Sequence, residues 1–296
     1  MQPLIHIGYS KCASTFLQRN ILPNHAEIAF FGKNLSGVGE KFCPGARELT
    51  GSLINLEAFN GLEPTLVHAL HNFRQDNQDK TFVWSNELFC ETSAPFLLFE
   101  QLARLVPDAR ILVVIRKQTD IIQSMYRYKG YHMQFAPGRF RGRFVSFDDW
   151  YNYSKENLLN KGGHKGRDWS ADYLRIIDYN RFIEIIESHF SRANILVVPY
   201  EQLILDMGMV YDLIGVSRKD FRGSSAENKS NNSFVAHKIA DRFGLKKGFG
   251  LGLAERLKKN SHFNHEILKE VYELYKTGNA ALSKRYSLDL CDYGYC

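Results

Sequence analysis

The chain has 296 residues, 44% of them hydrophobic and 24% charged, with a formal net charge of +6. That length suits one large α/β domain or two small ones, and the mild basic excess does not name nucleic acid as a partner. A site for a polyanionic small molecule would account for several of the charges; a basic surface that merely keeps the chain soluble would do so equally.

The five cysteines (Cys12, Cys43, Cys90, Cys291 and Cys296) are odd in number and irregularly spaced. This argues against a disulfide framework, and reduced thiols suit the cytoplasm. Without a CxxC pair or a ligand cluster, no metal site is expected. Residues 1–8 lack the basic and apolar regions of a signal peptide, and no apolar run is long enough to span a membrane.

Leu4–Ile7 reads as a buried strand, followed by a glycine-containing turn and a helix over Ser14–Leu22 that Pro23 ends. Ile28–Phe31 is a second strand. Residues 32–62 are rich in Gly, Asn and Ser and read as an extended loop with at most one short helix, near a substrate. A helix starting at Pro64 reaches about Arg74, a strand covers Thr81–Ser85, and a helix covers Ala94–Leu105. Arg110–Ile115 (RILVVI) is the strongest strand signal, apolar after its first residue as in a central parallel strand buried on both faces. Thr119 or Asp120 caps the next helix, to about Tyr128. Residues 130–170 read as an insertion with two basic loops around a helix at Asp148–Leu159. Asp172–Phe190 reads as one long amphipathic helix and Asn194–Val198 as the last core strand. The rest is helical apart from a polar gap at Arg222–Ser233. The βαβα alternation predicts an α/β fold, a central parallel sheet flanked by helices on both faces with a helical C-terminal portion, in one domain spanning 1–296.

Two segments carry the chemistry. His6–Thr15 runs strand, tight turn, helix N-terminus, where unpaired N–H groups and the helix dipole cradle an anion. Ser10, Lys11, Cys12, Ala13, Ser14 and Thr15 supply that cradle: Lys11 adds a charge, and Ser14 and Thr15 add hydroxyls. This is not a Walker A loop, because Lys11 precedes two small residues instead of following a second glycine. Farther along, Arg116 stands at the end of the RILVVI strand, where open α/β sheets bind ligands. Ser124 follows eight residues later, about two helical turns on. Both could converge on one phosphate, Arg116 through its bidentate fork.

The order lysine, two small residues, Ser/Thr resembles the phosphosulfate loop of sulfotransferases that use 3′-phosphoadenosine 5′-phosphosulfate (PAPS). A strand-end arginine with serine eight residues later resembles their 3′-phosphate motif. The departure, Gln118 and Thr119 where the family often has proline, concerns turn shape. Phe182–Glu201, with its final strand and "YE" turn, and Ala281–Tyr295 also resemble members of the bacterial carbohydrate type. The resemblance implies a P-loop NTPase-like sulfotransferase fold with PAPS as donor, no metal, and Lys11 stabilising the leaving phosphate.

Family members carry their base after the third strand, which makes Glu87 the chosen candidate, with Ser85 and Asn86 orienting the acceptor. His132 and His6 are lesser candidates, His6 reading more naturally as a buried core histidine, and His164 has no identifiable partner. Lys229 and Ser230, in the polar gap, are matched to a loop closing over the 3′-phosphate. The alternation Arg139, Arg141, Arg143 fits either a glycan acceptor with anionic groups or a solvated loop, and Lys161, Lys165 and Arg167 repeat that ambiguity. The expected acceptor is a hydroxyl on a carbohydrate or glycolipid. An ATP-dependent P-loop-type kinase and a non-catalytic nucleotide- or polyanion-binding protein are the alternatives. Oligomeric state is not readable.

Overall fold

The structure, a computed structural model, describes residues 1–32, 46–54, 64–92, 94–127, 145–159, 169–218 and 263–296. Two compact units emerge: Met1–Lys117 with Asp178–Gly223 and Gly278–Cys296, and Gln118–Ile177 with Ser224–Thr277.

In the first unit, five short apolar runs form one parallel sheet: β1 (Leu4–Gly8), β2 (Ile28–Gly32), β3 (Thr81–Ser85), β4 (Arg110–Ile115) and β5 (Ile195–Pro199). Their order is β2-β3-β1-β4-β5, and every pairing is parallel. β1, β2 and β3 are buried throughout, and β4 is buried after Arg110. Such continuous burial is what helices packed around a parallel sheet produce. From β1 the chain moves to one side for β2 and β3, then returns to the other for β4 and β5. The connections therefore diverge between β1 and β4, whose C-terminal ends flank the crevice where open sheets of this kind hold ligands.

The helices of this unit include α1 (Ser14–Phe16), α2 (Ala46–Ile54), α3 (Pro64–Asp76) and α4 (Pro95–Leu105). The predicted helix over Ser14–Leu22 is not uniform. α1 widens into a π turn at Leu17–Ile21 and tightens into a 3-10 turn at Leu22–Asn24, which contains Pro23. α2 supplies the short helix expected inside the 32–62 segment, and its Thr50 hydroxyl accepts from the buried Trp84 indole at 3.2 Å.

In the second unit, α5 (Gln118–Met125), α6 (Phe147–Leu159) and α7 (Trp169–Ile176) surround an aromatic core. There Tyr126 lies 5.7 Å from Trp150, Trp150 lies 5.5 Å from Tyr173, and Phe147 meets Phe263 edge-on at 4.8 Å. α5 begins at Gln118, just before the two residues expected to cap it.

The long helix expected over Asp172–Phe190 is instead two, α7 and α8 (Tyr179–Glu187). The reason is local: Asp178 turns its carboxylate to the Arg181 amide at 3.3 Å and caps α8. A short polar side chain that binds the backbone favours a helix start over a helix interior. After β5 come α9 (Tyr200–Leu205), α10 (Met209–Ile214) and α11 (His265–Tyr286).

The expectation of reduced thiols fails at the C-terminus, where Cys291 and Cys296 are joined in a disulfide. Gly294, at φ 77°, turns the chain between them, and the Cα atoms approach to 4.7 Å. Cys12 and Cys90 are buried and free. Among the described residues no helix is long and apolar enough to cross a membrane.

Candidate functional site

The loop between β1 and α1 is built on Tyr9. Its carbonyl accepts from the Cys12 amide at 3.0 Å and from the Ser14 hydroxyl at 3.0 Å. Lys11 (φ 73°) and Ala13 (φ 62°) adopt left-handed backbone conformations on either side of Cys12. Such alternation turns successive N–H groups to one side, the geometry of an anion-binding nest. Each non-glycine residue held this way costs roughly 1–2 kcal/mol, so the surrounding contacts must hold the loop in shape.

A Cβ built on Gly8 would lie 2.3 Å from Ser14 Oγ and 2.8 Å from the His6 ring, so the strand end has room only for glycine. Gly8→Ala is expected to destabilise the protein by about 1–3 kcal/mol, the usual cost of overpacking. Thermal unfolding measures this, and an unchanged midpoint would mean the Ser14 hydroxyl can step aside freely.

Beneath the loop, His6, Ser85 and Gln18 form a buried polar network. His6 Nδ1 is 2.7 Å from Ser85 Oγ, and Gln18 Nε2 donates to the same oxygen at 3.0 Å. Burial holds the His6 pKa down at about 4, so the ring is neutral. Its Nε2 has no hydrogen-bond partner among the described residues. Of the two residues expected to orient an acceptor, Ser85 belongs to this network, and Asn86 Oδ1 accepts from the Leu88 amide at 2.9 Å.

Glu87 opens a 3-10 turn (Glu87–Cys90) at the C-terminal end of β3. Burial, then the like charge of Arg116, lower the Lys11 pKa, while the Glu87 carboxylate pulls it the other way. Glu87 and Lys11 thus share one electrostatic neighbourhood. Glu91, which the sequence reading passed over, accepts from the Ser10 hydroxyl at 2.8 Å. The Cys12 thiol is pushed far up by burial, against the pull of Arg116, and stays protonated. It is a packing residue, not a nucleophile.

Arg116 closes the corner. Its Nη1 donates to the Lys11 carbonyl at 3.0 Å, and its guanidinium lies 4.6 Å from the Tyr200 ring centroid. The Tyr179 hydroxyl donates to the Arg116 carbonyl at 2.6 Å, and Tyr179 packs edge-on against Tyr9 at 4.9 Å. The two segments singled out in the sequence therefore meet, arginine side chain on loop backbone.

No family model and no curated protein matches the chain. Solved structures similar to it include the following three. One is a sulfotransferase from Alicyclobacillus acidocaldarius, with a TM-score of 0.49 and 16% identity, covering 83% of this chain and 94% of that one. The second is a sulfotransferase domain from the curacin biosynthetic pathway, with a TM-score of 0.46 and 12% identity over 93% and 97%. The third is a sulfotransferase domain from the Synechococcus PCC 7002 olefin synthase, with a TM-score of 0.42 and 14% identity over 88% and 96%.

Of the expected site residues, Ser10 through Thr15, Glu87 and Arg116 all belong to the first unit. Ser124 lies half-buried on α5 in the second. Lys229, Ser230, His132 and His164 lie outside the described residues, as do Arg139, Arg141, Arg143, Lys161, Lys165 and Arg167. Among the described residues no group of three or more His, Cys, Asp or Glu could hold a metal ion. Sequence reading missed Glu91, Tyr179, Glu201 and Tyr295 as site neighbours. Glu201 and Tyr295 fall in Phe182–Glu201 and Ala281–Tyr295, segments that carry a family resemblance, which is the available signal; Glu91 and Tyr179 offer none.

Proposed function

We propose that this chain is a PAPS-dependent sulfotransferase acting on a hydroxyl of a carbohydrate or glycolipid. The observation that carries the reading is the hydrogen bond from Arg116 to the Lys11 carbonyl, which joins the loop resembling a phosphosulfate site to the strand end resembling a 3′-phosphate site. One polyanionic nucleotide, with a phosphosulfate at one end and a 3′-phosphate at the other, would engage both, which a lone anion site would not explain.

The donor supplies a sulfuryl group bonded through oxygen to its 5′-phosphate. In our reading the loop from Ser10 to Thr15 holds that end through backbone N–H groups and hydroxyls, and Lys11 neutralises charge on the bridging oxygen as the S–O bond breaks. Glu87 takes the acceptor hydroxyl proton as the new O–S bond forms. Arg116 and Ser124 hold the 3′-phosphate, with Lys229 and Ser230 covering it. We read 1–296 as a single sulfotransferase domain working in the cytoplasm without a metal; the Cys291–Cys296 bridge spans a separation of only 5 residues and is no framework. An acceptor with acidic groups suits the arginines at 139, 141 and 143.

Thermal unfolding tests the donor. Ligand that binds only the native state raises the midpoint, by roughly 2.7 kcal/mol of added stability at a hundredfold excess over Kd. We expect 3′-phosphoadenosine 5′-phosphate (PAP) to raise the midpoint and magnesium-ATP to leave it unchanged. Stabilisation by magnesium-ATP alone would replace this reading with a kinase. PAP stabilisation without sulfate transfer to any glycan would leave a binding protein.

A further inference from the structure

Glu201, the second residue of the "YE" turn, contacts the amide of Lys117, the residue after Arg116, and its charge and that of Arg116 both act on the Cys12 thiol and the Tyr295 hydroxyl. A carboxylate and a guanidinium that share one electrostatic neighbourhood would ordinarily pair. Here both oxygens are engaged elsewhere. The Tyr295 hydroxyl donates to Glu201 Oε2 at 2.7 Å, and the Lys117 amide makes a long contact with Oε1 at 3.5 Å. Among the described residues, Arg116 has no carboxylate partner.

Tyr295 is itself fully buried and held on several sides. Its carbonyl accepts from Asn279 Nδ2 at 2.8 Å, and its amide donates to the Leu290 carbonyl at 3.1 Å. The Cys291–Cys296 bridge closes the turn that contains it, and Gly294 presents its open side to the Lys117 side chain. Burial and then the Glu201 charge push the Tyr295 hydroxyl pKa far up, so it remains a hydrogen-bond donor across the whole working range of pH.

We propose that Tyr295 is a positioning residue for the donor corner: it holds the Glu201 carboxylate away from Arg116, keeping that guanidinium's charge available to an anion, and the Cys291–Cys296 bridge holds Tyr295 in place. This rests on the donor reading above. Without the hydroxyl, Glu201 is free to turn onto Arg116 and compete with a bound phosphate.

The test is PAP binding by calorimetry well below the unfolding midpoint, on the wild type, Tyr295→Phe and the double variant Cys291→Ser/Cys296→Ser. Phenylalanine keeps the buried ring and removes only the donor. We expect its Kd for PAP to rise roughly tenfold, the scale of a hydrogen bond to a charged group. A residue that only supported the fold would shift the unliganded midpoint and leave the Kd of the folded protein alone. A Kd within about twofold of wild type, where the wild type binds, overturns this inference and leaves the donor reading standing. A wild type that does not bind PAP overturns the donor reading, and this inference with it. Should Tyr295→Phe not fold, the bridge variant carries the same test: a Kd raised roughly threefold or more supports the inference, and an unchanged Kd overturns it.

Discussion

Lys11→Ala is expected to lose roughly 10²–10³-fold in the rate of sulfuryl transfer, the cost of removing one preorganised charge-stabilising group. The same variant should unfold at or above the wild-type temperature. Lys11 is a desolvated cation beside Arg116, and alanine removes that repulsion while keeping the same left-handed backbone strain. Loss of activity with no loss of stability is the signature of a residue held for chemistry. Single-turnover transfer and thermal unfolding read the two halves separately, and unchanged turnover would remove Lys11 from the mechanism. Arg116 behaves differently in this geometry, because its guanidinium also ties down the Lys11 carbonyl. Its replacement should weaken donor binding and loosen the loop together.

The second large effect is on acid stability. His6 titrates at about 4 in the folded chain against 6.5 when exposed. Below the exposed value the unfolded chain takes up the proton and the folded one does not, so stability is complete above pH 6.5 and falls as pH drops towards 4. Over that window His6 should cost the folded state about 3 kcal/mol. His6→Leu removes this slope while Gln18 and Ser85 keep their mutual hydrogen bond. Denaturant unfolding of both proteins at pH 7 and pH 4 should show the variant gaining that amount on the wild type. Parallel losses in the two proteins would mean that His6 finds a way to charge inside the fold.

The sequence marked the sheet well. Thr81–Ser85 and Arg110–Ile115 are strands over the very residues read as such, because a continuous apolar run between polar flanks has few other uses in a buried parallel sheet. Local competition explains the misses. Asp178 turned an amphipathic run into two helices, since hydrophobic period says nothing of a side chain that prefers the backbone. The π turn at Leu17–Ile21 buries Gln18 for the sake of Ser85, a partner that no periodicity reveals. The Cys291–Cys296 bridge depends on the turn at Gly294, which cysteine counting does not see.

At the site, the residue types were legible and their joining was not. Gly8, Lys11, Ser14 and Arg116 stood out by type and by place at strand ends. That Arg116 reaches the Lys11 carbonyl, that Glu91 takes the Ser10 hydroxyl, and that Tyr295 reaches Glu201 are contacts between distant stretches of chain. Nor does sequence announce that Lys11 and Ala13 are left-handed, a conformation that glycine would normally signal.

The strand that carries the loop is also the middle strand of the sheet, and its neighbours on both sides come later in the chain. Gly8 meets its partner Val114 only once β4 has formed. The anion nest therefore cannot mature during early, local folding. It waits for a long loop to close, the slow kind of event in the assembly of parallel sheets. A nascent chain released before β4 would hold every residue of the Gly8–Thr15 loop without the strand pairing that fixes its shape.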